Sequence, residues 1–353
     1  MELNLKKQIY LLKLVMGMLK KNDLNINMRN WTVRFLNLYD SKDERKEELL
    51  KEFLTCEIKK VSHKRVRRTN ADSPILFCVI RNDVDKLEYF FEHYRKRGIQ
   101  VFIFLDNNST DGTKEYLLRQ KDTIVFESSQ EYTSARRVAW LNRMIGMYGE
   151  NKWCLIVDSD ELVDYIDSEK YTFYDLTKQA DLQGIKRIEG FMLDMYSQDG
   201  LFNEASGESW YQNNKCFDRD SYELKNWIHG LVIRGGPRKR IFGRDMRLSK
   251  YPLFYFGQED FLASSHYMVP DYPVKQTPVW LAIRHYKFTD DKDLEKVKEA
   301  VLKENYAGGS ADYKVYMSKI EENANLSFYD SQKSVVLESS KSLKEVKFLI
   351  TPF

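Results

Sequence analysis

The sequence predicts an α/β fold, in which a mostly parallel sheet is flanked by helices and the chain continues into a helical N-terminal extension and C-terminal helices. Between residues 73 and 162, continuous apolar runs that end in polar residues alternate with segments of helical periodicity. Runs that are apolar throughout indicate strands buried on both faces. Their alternation with helices is typical of parallel strands joined by crossover helices.

The composition indicates a globular chain of one large domain or two ordinary ones, and it excludes some classes of protein. Of 353 residues, 42% are hydrophobic and 31% are charged, with a formal net charge of +3. Nucleic-acid-binding proteins usually carry a strongly basic stripe, so no nucleic-acid partner is expected. The four cysteines have no close spacing, which argues against a zinc motif or disulfide framework and favours a reducing cytoplasm.

The first 70 residues are predicted to form the helical extension. Residues 1–21 are apolar in the middle and basic at both ends, but no run approaches the roughly 18 to 20 apolar residues of a membrane span. We interpret this segment as a helix packed on the protein, the alternative being peripheral contact with the inner face of a membrane. Residues 41–54 have helical spacing with Ser41 as N-cap. The basic run 59–68 is a solvated face or linker, or else a site for anionic lipid or glycan.

Strands and helices follow one another through the middle of the chain. Strands are predicted at residues 73–83, 99–113 (ending at Asp106 in a polar turn), 122–128 and 151–162. Helices are predicted between them, at residues 84–98, 113–120 and 133–149, two of them closed by glycine. Farther along, residues 184–197 alternate like a strand, residues 291–324 contain two helical segments, and the tail 334–350 offers an edge strand.

Polar clusters follow three of the predicted strands. They occupy residues 81–83, 106–108 and 158–161. In a parallel sheet, ligands bind outside the carboxyl ends of the strands, so these clusters are expected to converge on one crevice. Asp158 and Asp160 stand two residues apart at such a turn, where both carboxylates can face one divalent ion. Carboxylates suit Mg²⁺ or Mn²⁺, and a pyrophosphate would complete the coordination shell.

Longer motifs around these clusters resemble family-2-type glycosyltransferases of the GT-A fold, which is Rossmann-like. The run FCVIRNDVDKLEYFFEHYRKRGIQVFIFLDNNSTDGT is similar to the opening of that family, and KWCLIVDSDEL to its metal-binding Asp-x-Asp, here in an Asp-x-Asp-Glu form. FMLDMYSQDG, RGGPRKRIFG, LSKYPL, SSHY and RHYKF resemble a bacterial subgroup. The resemblance covers about residues 74–320. It implies a GT-A-like domain at 71–290, with a donor half at 71–165 and an acceptor half at 184–290, between the extension 1–70 and C-terminal helices and tail at 291–353.

The resemblance implies roles for single residues in the donor half. Asp106 would contact the base or ribose of a nucleotide-diphosphate sugar. Asn107 and Arg81, taken from the polar clusters at the strand ends, are further candidates for binding this donor. Arg136 would face the phosphates. Asp158 and Asp160 would hold Mn²⁺ or Mg²⁺ and the diphosphate. Asp111 and Gly112 match the turn after Asp106, where a helix cap is the favoured interpretation.

In the acceptor half, the resemblance implies a third metal ligand and a catalytic base. His285 matches a late metal-ligating histidine, and His266 is a second candidate. An inverting transfer needs a carboxylate that takes the acceptor's proton. The candidates for that base are Asp194, Glu259 or Asp260, and Glu161, the last of which could instead support the metal site.

Two other features of the acceptor half remain open. Arg238 or Arg240, in the glycine-led segment 235–240, could hold diphosphate or an anionic acceptor, and a plain charged turn is an equal alternative. Aromatic residues could form a sugar platform, although core packing is the default for each one: Trp210, Tyr211, Trp227 and Trp280.

The reaction implied by the resemblance is an inverting, metal-dependent sugar transfer. The donor would be a UDP-, GDP- or dTDP-sugar, and the acceptor a growing surface polysaccharide or lipid-linked glycan on the cytoplasmic side of a membrane. Two alternatives belong to other classes: a nucleotidyltransferase, and a glycan-binding protein without catalysis. The first would usually show a glycine-rich phosphate loop near the first strand, and ILFCVIRND has none.

Overall fold

A computed structural model describes Lys13 and residues 28–353, apart from 65, 67–68, 203–209, 228–229, 265, 271–278, 305 and 324. In these parts of the chain the helices are α1 (Met28–Asp40), α2 (Lys46–Thr55), α3 (Val84–Lys96), α4 (Thr113–Arg119), α5 (Ser134–Tyr148), α6 (Phe173–Leu182), α7 (Trp210–Asn213), α8 (Gly236–Phe242), α9 (Asp291–Lys303) and α10 (Ala307–Glu322), with a 3₁₀-helix at Ser340–Glu345.

The strands of the same residues are β1 (Lys59–Lys60), β2 (Ile75–Ile80), β3 (Val101–Asp106), β4 (Thr123–Glu127), β5 (Lys152–Ile156), β6 (Glu161–Asp164), β7 (Arg187–Asp194), β8 (Cys216–Asp218), β9 (Tyr222–Trp227), β10 (Gly230–Gly235), β11 (Ser249–Phe256), β12 (Phe261–Leu262), β13 (Met268–Val269), β14 (Val279–His285) and β15 (Ser334–Val336).

A mixed, mostly parallel sheet forms the centre of the molecule. Among the described residues it has nine strands in the order β1-β4-β3-β2-β5-β11-β7-β14-β6. The strands β4, β3, β2, β5, β7 and β14 run in one direction, whereas β1, β11 and β6 run against them. Helices cover both faces, so the predicted α/β class is confirmed.

Strand β2 shows why the sheet is covered on both sides. All six of its residues are buried. Leu76, Cys78 and Ile80 pack with α3, α4 and α6 on one face. The alternate residues, from Ile75 to Val79, pack with α1, α2 and α5 on the other. Because side chains along a strand alternate between faces, a strand that is buried on both must be apolar throughout.

The pairing of the strands places several polar residues at one edge of the sheet. Ile80 pairs with Asp106 at the carboxyl ends of β2 and β3, and Phe77 pairs with Ile156, the last residue of β5. Strand β14 ends with His285 at the same edge. The backbone N–H of the next residue, Tyr286, donates to the Asp160 carbonyl at 2.9 Å. The fold therefore brings segments more than a hundred residues apart to one place.

The structure corrects three of the predicted elements. The helix predicted at 41–54 begins at Lys46, because the Ser41 hydroxyl donates to the Leu38 carbonyl and does not cap the helix. Residues 151–162 form β5 and the start of β6 rather than one strand. The tail supplies β15, but it pairs with β8 in a separate two-stranded sheet and not with the edge of the main sheet.

The described residues also bear on the cysteines and the membrane. The four cysteines are free and buried. Within the described ranges, every helix is too short or too polar to cross a bilayer. The helix predicted at residues 1–21 lies outside the described residues, except for Lys13.

Candidate functional site

A cavity of about 620 Å³ opens at the carboxyl ends of β2, β3 and β5. Residues of all three predicted polar clusters line it: Arg81, Asn82, Asp83, Asn107, Asp158, Ser159 and Asp160. The structure therefore brings together the three strand ends that the sequence singled out. Helices α9 and α10 supply the opposite wall, and His285 lies between the two sides.

The imidazole of His285 is fixed within a buried chain of charged groups. Its Nδ1 lies 2.8 Å from Asp194 Oδ1, and Asp194 Oδ2 accepts a hydrogen bond from Arg238 at 2.7 Å. A proton on Nδ1 satisfies the first contact and leaves the Nε2 lone pair free. That Nε2 lies 3.7 Å from Asp160 Oδ2, in the cavity.

The carboxylates in this chain are kept ionised by their neighbours. Burial raises the pKa of Asp194, but Arg238 and His285 hold it below its usual value. Burial likewise raises the pKa of Asp160, but its neighbours His285, Lys86 and Lys287 hold it below its usual value. Asp160 is thus an anion that faces an imidazole nitrogen.

The donor atoms in the cavity suit a metal ion only in part. Asp160 and His285 offer one carboxylate and one imidazole nitrogen, both ligands of divalent cations. Oδ1 of Asp158 instead accepts a hydrogen bond from Arg137. Among the described residues, no three His, Cys, Asp or Glu side chains gather closely enough to hold a metal by themselves. Ligand oxygens would have to complete the shell around this pair.

Arg137 lines the cavity, and the predicted Arg136 does not. The guanidinium of Arg137 is buried and paired with Asp158. The guanidinium of Arg136 points the other way, to Glu52 of α2 at 2.8 Å. The helical spacing contained a signal for this, because Arg137 shares a face with the apolar Leu141 and Met144 that pack on the sheet.

Asp106 lies behind the cavity rather than on its surface. Its Oδ1 accepts a hydrogen bond from the Ser109 N–H at 3.0 Å, and Oδ2 has no partner among the described residues. Burial raises the pKa of this carboxyl. The Asn107 amide donates to the carbonyls of Ser128 and Gln130, both at 2.9 Å, and so holds the neighbouring loop.

Two polar residues support the turn at residues 158–160. Glu161 is buried, pairs with Lys250, and accepts a hydrogen bond from the Asp158 N–H at 3.2 Å. The Ser159 hydroxyl donates to Asp83 Oδ2 at 2.7 Å. Glu161 does not line the cavity, so its position fits support of the turn better than proton transfer to an acceptor.

The remaining candidates for the catalytic base lie away from the cavity surface. Asp194 is buried between His285 and Arg238. Strand β11 runs against β5, and its last residue pairs with the first residue of β5. Glu259 and Asp260 therefore lie at the opposite edge of the sheet, where Asp260 pairs with Arg187 at 2.8 Å. The structure does not bring any of these three carboxylates to the cavity.

The other acceptor-half candidates also have structural contacts elsewhere. His266 Nδ1 lies 2.8 Å from the Ser249 carbonyl, outside the cavity. Arg238 and Arg240 lie in α8, a short helix rather than a turn, and pair with Asp194 and Asp218.

The aromatic candidates and the turn after Asp106 have packing and capping roles. Tyr211 stacks on Tyr89 at 3.4 Å between ring centroids, and Trp280 is buried in the core. Asp111 caps α4 by accepting hydrogen bonds from the Thr113 N–H and hydroxyl at 2.9 and 2.6 Å, as the favoured interpretation predicted. Gly112 adopts the left-handed conformation there, with φ of 95°.

Sequence reasoning missed the contribution of the C-terminal helices. Ion pairs join helix α9 to the start of α3 and to the turn before it. Lys86 of α3 pairs with Asp293 at 2.7 Å, almost fully buried, and Asp83 of the turn pairs with Lys296. Lys287 also lines the cavity, two residues after His285. Lys287 lies in the RHYKF motif, beyond the last strand residue, His285. No local signal in the sequence indicates the contacts of α9.

Comparisons with known proteins give little further information. No family model and no curated protein matches this chain. Among solved structures, the chain is similar to a 4-diphosphocytidyl-2C-methyl-D-erythritol synthase, with 13% sequence identity over 40% of this chain and 68% of that chain. The TM-score of that match is 0.24, and we base no argument on it.

Proposed function

We propose that this chain is a metal-dependent glycosyltransferase that transfers a sugar from a nucleotide-diphosphate sugar to a glycan or lipid-linked acceptor, with inversion. One observation supports the proposal above all. Asp160 and His285, predicted as metal ligands from motifs 125 residues apart, face one another across 3.7 Å in a cavity at the carboxyl ends of parallel strands. That edge is where ligands bind in open α/β sheets.

Asp160 and His285 would hold Mn²⁺ or Mg²⁺ in this proposal. The bound ion would offset the negative charge that develops on the leaving diphosphate. Asp194 keeps Nε2 of His285 turned towards Asp160, as carboxylates do for metal-ligating histidines in other proteins. Diphosphate oxygens and water would complete the coordination shell, because the described residues supply two ligands there.

The other polar residues of the cavity would bind and orient the donor. Arg137 lies beside Asp158 and can share its guanidinium hydrogen atoms with a phosphate. The unpartnered carboxyl oxygen of Asp106 lies behind the same strand ends, within the segment that the resemblance assigns to the base or ribose. Glu161 and Asp83 keep the turn at residues 158–160 in place.

The acceptor and the cellular setting are proposed from the sequence resemblance. A growing surface polysaccharide or lipid-linked glycan is the expected acceptor class. The enzyme would act on the cytoplasmic side of a membrane, with residues 1–21 as the segment of contact. The division into a donor half at 71–165 and an acceptor half at 184–290 belongs to the same proposal.

Donor cleavage tests the proposal and separates it from its rivals. The full chain is incubated with Mn²⁺ and single UDP-, GDP- or dTDP-sugars, and the products are separated. Release of a nucleoside diphosphate is expected. Release of pyrophosphate would indicate a nucleotidyltransferase, and release of neither product would indicate a glycan-binding protein without catalysis. Asp160→Asn should lower the rate by about 100-fold or more, because it removes a ligand of the charge-stabilising ion.

Asp72→Asn is the matched control for this assay. Asp72 is exposed and pairs with Lys178 on the surface, so its loss removes the same charge without touching the cavity. Its rate should equal that of the unchanged chain. Asp160→Asn with undiminished donor cleavage would refute the assignment of Asp160.

A further inference from the structure

Lys287 is the exception among the basic residues that line the cavity. The four others each have a carboxylate partner: Arg81 with Glu299, Arg137 with Asp158, Lys292 with Asp85, and Lys296 with Asp83. The Lys287 amine makes no ion pair with any residue that the structure describes. A charged group that is partly withdrawn from water and unpaired costs free energy, so it favours an anionic ligand.

Helix α10 holds the Lys287 amine in place. Nζ donates a hydrogen bond to the Tyr313 hydroxyl at 2.9 Å and lies 4.6 Å from the centroid of the Tyr313 ring. Burial raises the pKa of the nearby Asp160 carboxyl, and Lys287 is among the groups that lower it again, after His285 and Lys86. The amine is thus positioned near the proposed metal pair and is not a free surface group.

Tyr313, which contacts Lys287, is one of three neighbouring tyrosines of the cavity, and we call Tyr132, Tyr306 and Tyr313 the tyrosine wall. Their rings follow one another, with centroid distances of 5.4 Å from Tyr132 to Tyr306 and 4.6 Å from Tyr306 to Tyr313. All three line the cavity. Burial raises the pKa of each phenol, so the hydroxyls stay protonated and can donate hydrogen bonds.

The chemistry of this surface restricts its ligand. An ammonium group and protonated hydroxyls can all donate to a ligand, and the ammonium adds a positive charge. A phosphoryl group is the complement, because it has several acceptor oxygens and a negative charge at neutral pH. Lysine serves such groups as a point charge.

We propose that Lys287 and the tyrosine wall form an anion subsite that binds a phosphoryl group directly, without a metal ion. The inference rests on the proposed function only for the identity of the natural ligand, which would then be the diphosphate of the donor. In that case, donor binding has a metal-independent part supplied by the C-terminal helices, beside the metal-dependent part at Asp160.

Titration calorimetry with inorganic pyrophosphate in the presence of EDTA tests the subsite. The unchanged full chain should bind pyrophosphate. Lys287→Met keeps the length of the side chain but removes its charge, and should weaken binding by about 10- to 100-fold, the range for a hydrogen bond with a charged partner. Lys319→Met is the control, because Lys319 lies on α10 in an exposed pair with Glu322 and should leave binding unchanged.

Two further variants keep the test decisive if Lys287→Met does not fold. Lys287→Arg preserves the charge and should bind pyrophosphate within a few-fold of the unchanged chain. Tyr313→Phe removes the hydroxyl that positions the amine and should weaken binding. No pyrophosphate binding by the unchanged chain in EDTA, or binding by the Tyr313→Phe and Lys287→Met variants that is as tight as that of the unchanged chain, would overturn the subsite. Failure of donor cleavage with intact pyrophosphate binding would instead overturn the proposed function alone.

Discussion

His285 owes its orientation to residues that never reach the cavity. Arg238 is almost fully buried and pairs with Asp194, which in turn contacts Nδ1 of the imidazole. A carboxylate that accepts a hydrogen bond from Nδ1–H determines that Nε2 is the nitrogen that can bind a ligand. Asp194, expected as a candidate base, is therefore better described as a positioning residue for His285.

The neighbouring arginines 136 and 137 allow a matched prediction. Arg137→Met should lower nucleoside diphosphate affinity by about 10- to 100-fold, because it removes the guanidinium beside Asp158 in the cavity. Arg136→Met should leave affinity unchanged, because that side chain pairs with Glu52 outside the cavity. Titration calorimetry with Mn²⁺ present measures both. Equal losses in the two variants would contradict the assignment of Arg137.

The sequence identified residues that line the cavity where a motif specified the position, and missed them where a helix face decided it. Asp158, Asp160 and His285 were identified from short motifs, and all three line the cavity. The choice between Arg136 and Arg137 depended on which side of α5 packs on the sheet. Glu259 looked suitable by residue type, but the direction of β11 puts it at the far edge.

A buried cluster of charges joins three elements of the fold. Asp164 at the end of β6 pairs with Arg97 beyond α3 at 3.1 Å and with Arg284 of β14 at 3.3 Å. All three side chains are largely withdrawn from water. Burial alone would raise the pKa of Asp164, but the two arginines lower it to about 2. The cluster therefore favours the folded state only while Asp164 is ionised.

Asp164→Asn should destabilise the fold. The free energy of unfolding should fall by about 3 kcal/mol at pH 7, because two arginines would remain buried without their carboxylate. In the unchanged chain this contribution is complete above about pH 4 and fades as the pH falls from the ordinary carboxyl pKa towards about 2. Guanidinium unfolding at several pH values measures both effects.

Asp72→Asn removes an exposed ion pair and serves as the control for that experiment. This substitution should lower the free energy of unfolding by less than about 1 kcal/mol, as for other surface ion pairs. If Asp164→Asn were no less stable than this control at pH 7, the cluster would not hold the three elements together.

Among the elements, the sequence predicted strands most accurately where a strand is buried on both faces of the sheet. The order from β2 to β5, with its three helices, follows from apolar runs that end in polar residues. The turn between β5 and β6 was missed, because the acidic cluster at residues 158–161 was taken as the end of one strand. Likewise, β15 was placed by its β-forming residues, but pairing with β8 depends on tertiary contacts that those residues do not specify.

Across the whole molecule, the proposed site depends on two segments that lie far apart in the chain. The strand ends of residues 81–160 form one side of the cavity, and residues 285–313 form the other. Ion pairs such as Lys86 with Asp293 join positions 207 residues apart. A periodic pattern reports the burial of a segment but not its distant partner, so the closing of the cavity by α9 and α10 could not be predicted.

In the proposed function, this cavity binds a nucleoside diphosphate through a metal held by Asp160 and His285. The most direct measurement is a thermal-shift series with UDP, GDP and dTDP, each with Mn²⁺ or with EDTA, on the unchanged chain and on Asp160→Asn. A ligand that binds only the folded state raises the Tm. We predict that one diphosphate raises the Tm more with Mn²⁺ than with EDTA, and that Asp160→Asn abolishes this difference. No shift with any diphosphate, or an equal Mn²⁺-dependent shift in Asp160→Asn, would contradict the claim.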